Sequence, residues 1–124
     1  MSTLDEAKLL QNGTKAFAIR IIKASARLPK DEPVRVVGRQ FLRSGTSLAA
    51  NYRAACRARS SADFISKISV VVEETDETLF WLELLVEAEL AKKSLLESLM
   101  NVMNECDELV KIFSASLTTA KRNR

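Results

Sequence analysis

The sequence predicts an all-α fold, an antiparallel up-down-up-down four-helix bundle. Three observations carry that prediction. The 124 residues include only three glycines and two prolines, too few punctuating residues for a strand-and-turn architecture. Apolar residues recur at three- and four-residue spacing through four separate stretches, the period of a helix with one buried face. The breaks between those stretches are short, and short connections make consecutive helices antiparallel neighbours. A chain of this length forms a single domain, spanning 1–124, and can bury a core of its own.

The first helix is expected over about Asp5–Leu28, with Leu10, Thr14, Phe17, Ile21, Ala24 and Leu28 as its stripe and Ala18 and Ile22 widening it. Asn12-Gly13 offers a break, with Thr14 as a second N-cap; the pattern leaves both forms open. Pro29 discourages continuation and Pro33 suits the first turn of the next helix. That second helix is expected over about Pro33–Arg57, with a seam of Val34, Val37, Phe41, Leu48, Tyr52 and Ala55. Between them lie Gly38, Ser44, Gly45, Ser47, Ala49 and Ala50. A glycine inside a helix costs about 1 kcal/mol against alanine, so close approach of another backbone is the simplest reason for two of them.

Ser60-Ser61-Ala62-Asp63 reads as a capping box with Asp in the place of Glu, so the third helix is expected over about Ser61–Glu89. It has two apolar stripes. One is Phe64, Ile68, Val71, Thr75, Leu79 and Leu82; the other is Val70, Phe80, Trp81, Leu84 and Ala88. A helix apolar over so much of its circumference is central or lies at an interface. Ser94-Leu95-Leu96-Glu97 reads as a second capping box, which puts the fourth helix at about Leu95–Ala120. Its face would be Leu96, Leu99, Met103, Leu109, Ile112, Phe113 and Leu117.

Charge is divided unevenly. The net charge is +3, but residues 1–62 carry +8 and residues 63–124 carry −5. Such asymmetry fits either a binding face for a polyanion or pairing of the two halves inside one bundle. There is no histidine, which removes the commonest general base and metal ligand and with it Ser-His-Asp chemistry and a Glu-x-x-His di-iron site. The two cysteines, Cys56 and Cys106, form no CxxC and read as reduced thiols of a cytoplasmic protein. The opening residues lack the basic-then-apolar pattern of a secretory signal, and no apolar run is long enough to span a membrane.

Six arginines are the candidate nucleic-acid contacts: Arg35, Arg39, Arg43, Arg53, Arg57 and Arg59. The first three are four residues apart and share a helix face. Arg53 and Arg57 begin a second patch. Arginine suits bidentate contact to phosphate or to carboxylate, so phosphate binding and salt bridges to the third helix both remain open. Glu74 and Glu77 are the candidate ion-pair partners. Gly38, Ser44, Gly45, Ser47, Asn51 and Trp81 are the candidate packing or oligomer-interface residues. Ser44, Thr46 and Ser47 flank Gly45, but the phosphate-loop frame is missing. No cofactor, metal or catalytic residue is expected.

The succession RSGTSLAANYR at Arg43–Arg53, Ser60-x-x-Asp63-Phe64 and Glu74-x-x-Glu77-Thr78-x-x-Trp81-Leu82, preceded by TKAFAIRII at Thr14–Ile22, has a recognisable order. It resembles the bacterial 23S rRNA intervening-sequence proteins across roughly Thr14–Lys121. The resemblance implies an antiparallel four-helix bundle assembling as a ring-like homopentamer. It also implies genes found within 23S rRNA intervening sequences and elsewhere in bacterial genomes. The resemblance also implies a distant similarity to the accessory variability protein of diversity-generating retroelements, which works with a reverse transcriptase. That family has no assigned catalytic residues. The expectation is a non-enzymatic oligomer that binds RNA or DNA, structured RNA first. The alternative is a protein-interaction scaffold or adaptor, for example for a reverse transcriptase or another nucleic-acid enzyme.

Overall fold

The computed structural model describes residues 3–124, which form four helices: α1 Thr3–Ala26, α2 Glu32–Cys56, α3 Ser61–Glu87 and α4 Lys93–Arg122. No strand occurs among the described residues. Each helix packs on its neighbours in sequence, and α1 closes the bundle against α4; α2 and α3 share the most extensive contact and α1 and α4 the least. The pairings give the directions. Gly38 lies against Leu28 and Gly45 against Ile21. Arg43 meets Glu77 and Asn51 meets Glu74. Arg20 meets Glu105, and Arg27 reaches the Ser94 carbonyl. Along each seam one number rises as the other falls, so the helices run antiparallel.

The core is a single cluster. Phe17 and Ile21 of α1, Phe41 and Leu48 of α2, Ile68 and Leu82 of α3, and Leu99 and Phe113 of α4 are fully buried. Burying one such side chain is worth roughly 1.5–3 kcal/mol. The Tyr52 ring packs against Phe113 with centroids 5.1 Å apart and planes tilted by 39°.

Several local readings are refined by the structure. Asn12-Gly13 does not break α1, which is continuous through Gly13; the Thr14 hydroxyl donates to the Gln11 carbonyl at 2.9 Å instead of capping a new helix. Ile22 is half exposed rather than in the core. At the start of α3 the Ser60 side chain accepts from the Asp63 amide at 3.1 Å, as the capping pattern predicts. The Asp63 carboxylate turns to the Arg59 amide rather than to that of Ser60. The far end of α3 is a Schellman closure: Leu90 N–H donates to Leu85 O, Glu89 N–H donates to Val86 O, and Glu89 holds φ at 55°.

The start and register of α4 differ from the sequence expectation. Its N-cap is Lys92, without a side-chain cap, so Ser94 lies inside the first turn. The buried positions are Leu95, Leu99, Val102, Cys106, Leu109 and Phe113, a strict alternation of fours and threes. Leu96, Met103 and Leu117 flank this seam, and Ile112 is exposed. A face centred on Leu96 and Met103 places the stripe one residue too late, because it omits Val102 and the apolar thiol of Cys106.

Candidate nucleic-acid interface

Between α2 and α3 runs a polar seam. The Arg43 guanidinium pairs with Glu77, whose carboxylate also accepts from the Trp81 indole at 3.2 Å. One turn along, Thr78 donates to Ser44 at 2.8 Å, both residues being fully buried. The Asn51 amide then donates to Glu74 and, at 3.2 Å, to the Ser47 hydroxyl. The acidic partners differ from the expectation in one respect: Glu77 meets an arginine, whereas Glu74 meets an amide. Arg43 has the shape of a phosphate ligand but is already paired with a carboxylate.

The small residues of α2 serve this same packing. A Cβ on Gly45 would lie 2.8 Å from Ile21 Cγ2, and one on Gly38 would lie 3.1 Å from Leu28 Cδ1. Gly38, Ser44 and Gly45 are therefore packed against neighbours within the chain. Trp81 is half buried, and its ring meets that of the exposed Phe80 edge-on, with centroids 5.1 Å apart and planes at 63°.

The other five arginines are exposed and, among the described residues, hold no salt bridge to a carboxylate. Four of them form two groups along α2, Arg57 being its C-cap, and Arg59 lies in the connection to α3. Arg35 and Arg39 line a groove of about 450 Å³ beside Leu28, Lys30 and Gly38. Arg53 and Arg57 lie about five turns, or ~27 Å, further along the same helix face. They line two grooves at once. Toward α3, a groove of about 620 Å³ is formed with Ala54, Arg59, Asp63 and Lys67. Toward α1, a groove of about 290 Å³ is formed with Lys8, Lys15, Ala18 and Ala49. Ala50 lies at the edge of both.

Lys8, Lys15 and Lys67 are thus part of the basic end of the bundle although none of them is among the six candidate contacts. The available signal is the spacing of Lys8 and Lys15: seven residues, or two turns, places them on one face of α1. The acid of the groove toward α3, Asp63, is tied to Lys67 Nζ at 2.7 and 2.8 Å. The Lys67 ammonium, and after it the Arg59 amide, hold its carboxyl below the usual carboxylate range.

Two buried groups titrate away from neutrality. Burial, then the charges of Asp107, Asp76 and Glu105, push the Cys106 thiol up to about 12. Burial and a hydrogen bond with Cys56 raise Tyr52. Neither is a nucleophile at neutral pH, since the thiolate is the reactive form. No cluster of His, Cys, Asp and Glu able to hold a metal occurs among the described residues, and no helix among them is long and apolar enough to cross a membrane. What the surface can do is hold phosphates, by charge and by the guanidinium fork.

The chain has clear relatives. The family model described as 23S rRNA-intervening sequence protein matches residues 8–115. A solved structure from Bacteroides thetaiotaomicron, a protein of unknown function from the S23 ribosomal protein family, is 34% identical. The match covers 86% of this chain and 96% of that one, with a TM-score of 0.76. No curated protein matches the chain. The α2–α3 seam is built from the very residues of the RSGTS…AN and E..ET..W segments, so the motif order and the geometry agree. With the match running nearly end to end, the chain belongs to the 23S rRNA-intervening sequence protein family.

Proposed function

We propose that the protein is a non-enzymatic, cytoplasmic RNA-binding bundle that holds structured RNA through phosphate contacts. The observation that carries this reading is the exposed pair Arg53 and Arg57, unpaired with any carboxylate among the described residues and flanked by Lys8, Lys15 and Arg59. From Pro33 to Ala62 the sequence holds no acidic residue, so beyond Glu32 in its first turn nothing on α2 competes with a phosphate. A homopentameric ring, the assembly the resemblance implies, is part of this proposal. Five copies at +3 each would carry about +15, a field that favours polyanions.

The test is binding of nuclease-treated protein to a labelled structured RNA and to duplex DNA across a salt series. Affinity should fall steeply with salt, with a slope of about −0.7 to −0.9 per phosphate neutralised. Arg53→Glu with Arg57→Glu should abolish binding. Tight binding by that variant would remove the site, and absence of binding at low salt would remove the function.

A second reading rests on a different observation. Phe80 is 50% exposed on α3 beside Trp81. An uncovered aromatic pair is the kind of anchor that protein interfaces use. The chain would then be a scaffold or adaptor for a nucleic-acid enzyme such as a reverse transcriptase, or would use this face to assemble with itself. Phe80→Glu should lower the assembled mass in light scattering or abolish partner capture; no change in either would remove this reading.

A further inference from the structure

We propose that the C-terminal half of α2 is a crest that lies in the minor groove of double-stranded RNA, with cations on its two flanks holding phosphates of opposite strands; this rests on the RNA-binding reading above. Arg53 and Arg57 are shared by the two grooves on either side of α2. They therefore stand on a ridge between furrows rather than on one wall of a single channel. The α1 furrow carries Lys8 and Lys15. The opposite furrow carries Arg59 and Lys67, the latter shared with Asp63. Cations in three parallel lines fit two sugar–phosphate strands with a groove between them; a single strand would follow one line.

Groove shape selects the side of the duplex. In this bundle α2 packs against both α1 and α3, which do not contact each other among the described residues, so α2 stands at a corner with a furrow on either side. The major groove of A-form RNA is deep and narrow and closed to a helix crest with flanking cations. The minor groove of A-form RNA is wide and shallow and displays 2′-hydroxyls beside the phosphates. Arg53 and Arg57 reach such a surface with their guanidinium donors. The short side chains of Ala49, Ala50 and Ala54 keep the furrows open to a backbone.

Stacking chemistry is missing from this end. No aromatic residue lines either furrow, whereas proteins that hold single strands stack bases on aromatic rings. The exposed Phe80 and the half-buried Trp81 lie toward the other end of α3, where the Trp81 indole donates to Glu77.

The experiment is fluorescence anisotropy with three probes of equal length, on the order of 16 base pairs or nucleotides to span two successive minor grooves. They are duplex RNA, duplex DNA and an unpaired single-stranded RNA. Duplex RNA should bind at least about tenfold tighter than either other probe at matched salt. Lys8→Ala with Lys15→Ala, and separately Arg59→Ala, should each weaken the duplex and reduce its salt slope by about one per cation removed, with circular dichroism unchanged. Single-stranded RNA or duplex DNA binding within about threefold of duplex RNA at matched salt would overturn the groove assignment while leaving RNA binding intact. Unchanged duplex affinity in either flank variant would overturn the two-strand contact. Failure of all three probes to bind would instead overturn the RNA-binding reading itself.

Discussion

Thr78 Oγ1 donates a 2.8 Å hydrogen bond to Ser44 Oγ with both residues fully buried between α2 and α3. The same hydroxyl also lies 2.8 Å from the Glu74 carbonyl, so removal of Ser44 leaves Thr78 with a partner. The reverse is not so. Thr78→Val strands the Ser44 hydroxyl, and a buried unsatisfied polar group costs about 1–3 kcal/mol. Ser44→Ala should cost less, about 0.5–1.5 kcal/mol. The double variant should be less destabilised than the sum of the two, since neither hydroxyl is left alone. Urea unfolding of the four proteins measures the coupling; strict additivity would mean the contact contributes nothing.

The three glycines should respond differently to alanine. Gly13 has open space around a Cβ, so Gly13→Ala should stabilise by about 0.5–1 kcal/mol through helix propensity. At Gly38 a Cβ would meet only the end of Leu28 at 3.1 Å, and the gain and the crowding should nearly cancel. At Gly45 it would lie 2.8 and 2.9 Å from the two γ-carbons of Ile21, a residue that is fully buried. Gly45→Ala should therefore destabilise by about 1–3 kcal/mol despite the better propensity. Thermal melts of the three variants should show this order, and a stabilised Gly45→Ala would disprove the tight α1–α2 approach.

How much of this was legible in the sequence depends on which chemistry was local. Ser60 capping Asp63 was readable because both partners lie within one turn. The two-helix pattern of Phe17, Ile21, Phe41 and Leu48 was readable from period alone. The register of α4 was not, because Cys106 and Val102 complete its seam while Ile112 points out. Nor could one chain position tell which arginine is free. Arg43 and Arg53 look alike in sequence, and only the fold brings Glu77 to the first and two lysines of α1 to the second. Glu74 paired with Asn51 has the same origin: the partner lies 23 residues away and across a turn.

Cys56 and Cys106 should separate cleanly in a thiol titration. Cys56 is half-buried and Cys106 is fully buried. The native protein should react with one equivalent of a thiol reagent at neutral pH and with a second only in denaturant. Because the folded-state value of Cys106 is raised to about 12, stability tied to this thiol is full below the ordinary thiol range. It falls as pH rises through that range toward the raised value. Cys106→Ala should flatten that alkaline loss; rapid labelling of both thiols in the native state would contradict the burial.

Acid should weaken the start of α3. Asp63 is held below its usual range by Lys67 and the Arg59 amide, so its contribution is present above the ordinary carboxylate value and is lost as pH falls through the depressed one. Ser60→Ala should cost about 1 kcal/mol by removing the cap. In Asp63→Asn the acid limb of the stability profile should be shallower than in the wild type. An identical limb would place the acid sensitivity elsewhere.

Arg43 and Glu77 separate the two uses of arginine on α2. Their side chains are 51% and 36% exposed, and a pair so wet is worth about 0–1 kcal/mol. Glu77→Gln should therefore change stability little. It also removes the charge that holds Arg43 away from other anions, while leaving an acceptor for the Trp81 indole. RNA affinity should then stay level or rise by a fewfold as Arg43 is released. Arg43→Ala in the otherwise unchanged protein should leave affinity untouched, because that guanidinium is already occupied, whereas Arg53→Ala should weaken binding and lower the salt slope by about one. Measuring the three variants side by side decides the matter. Equal losses from Arg43→Ala and Arg53→Ala would mean that the Glu77 pair opens for RNA, and that the binding surface runs along the whole face of α2 rather than its C-terminal half.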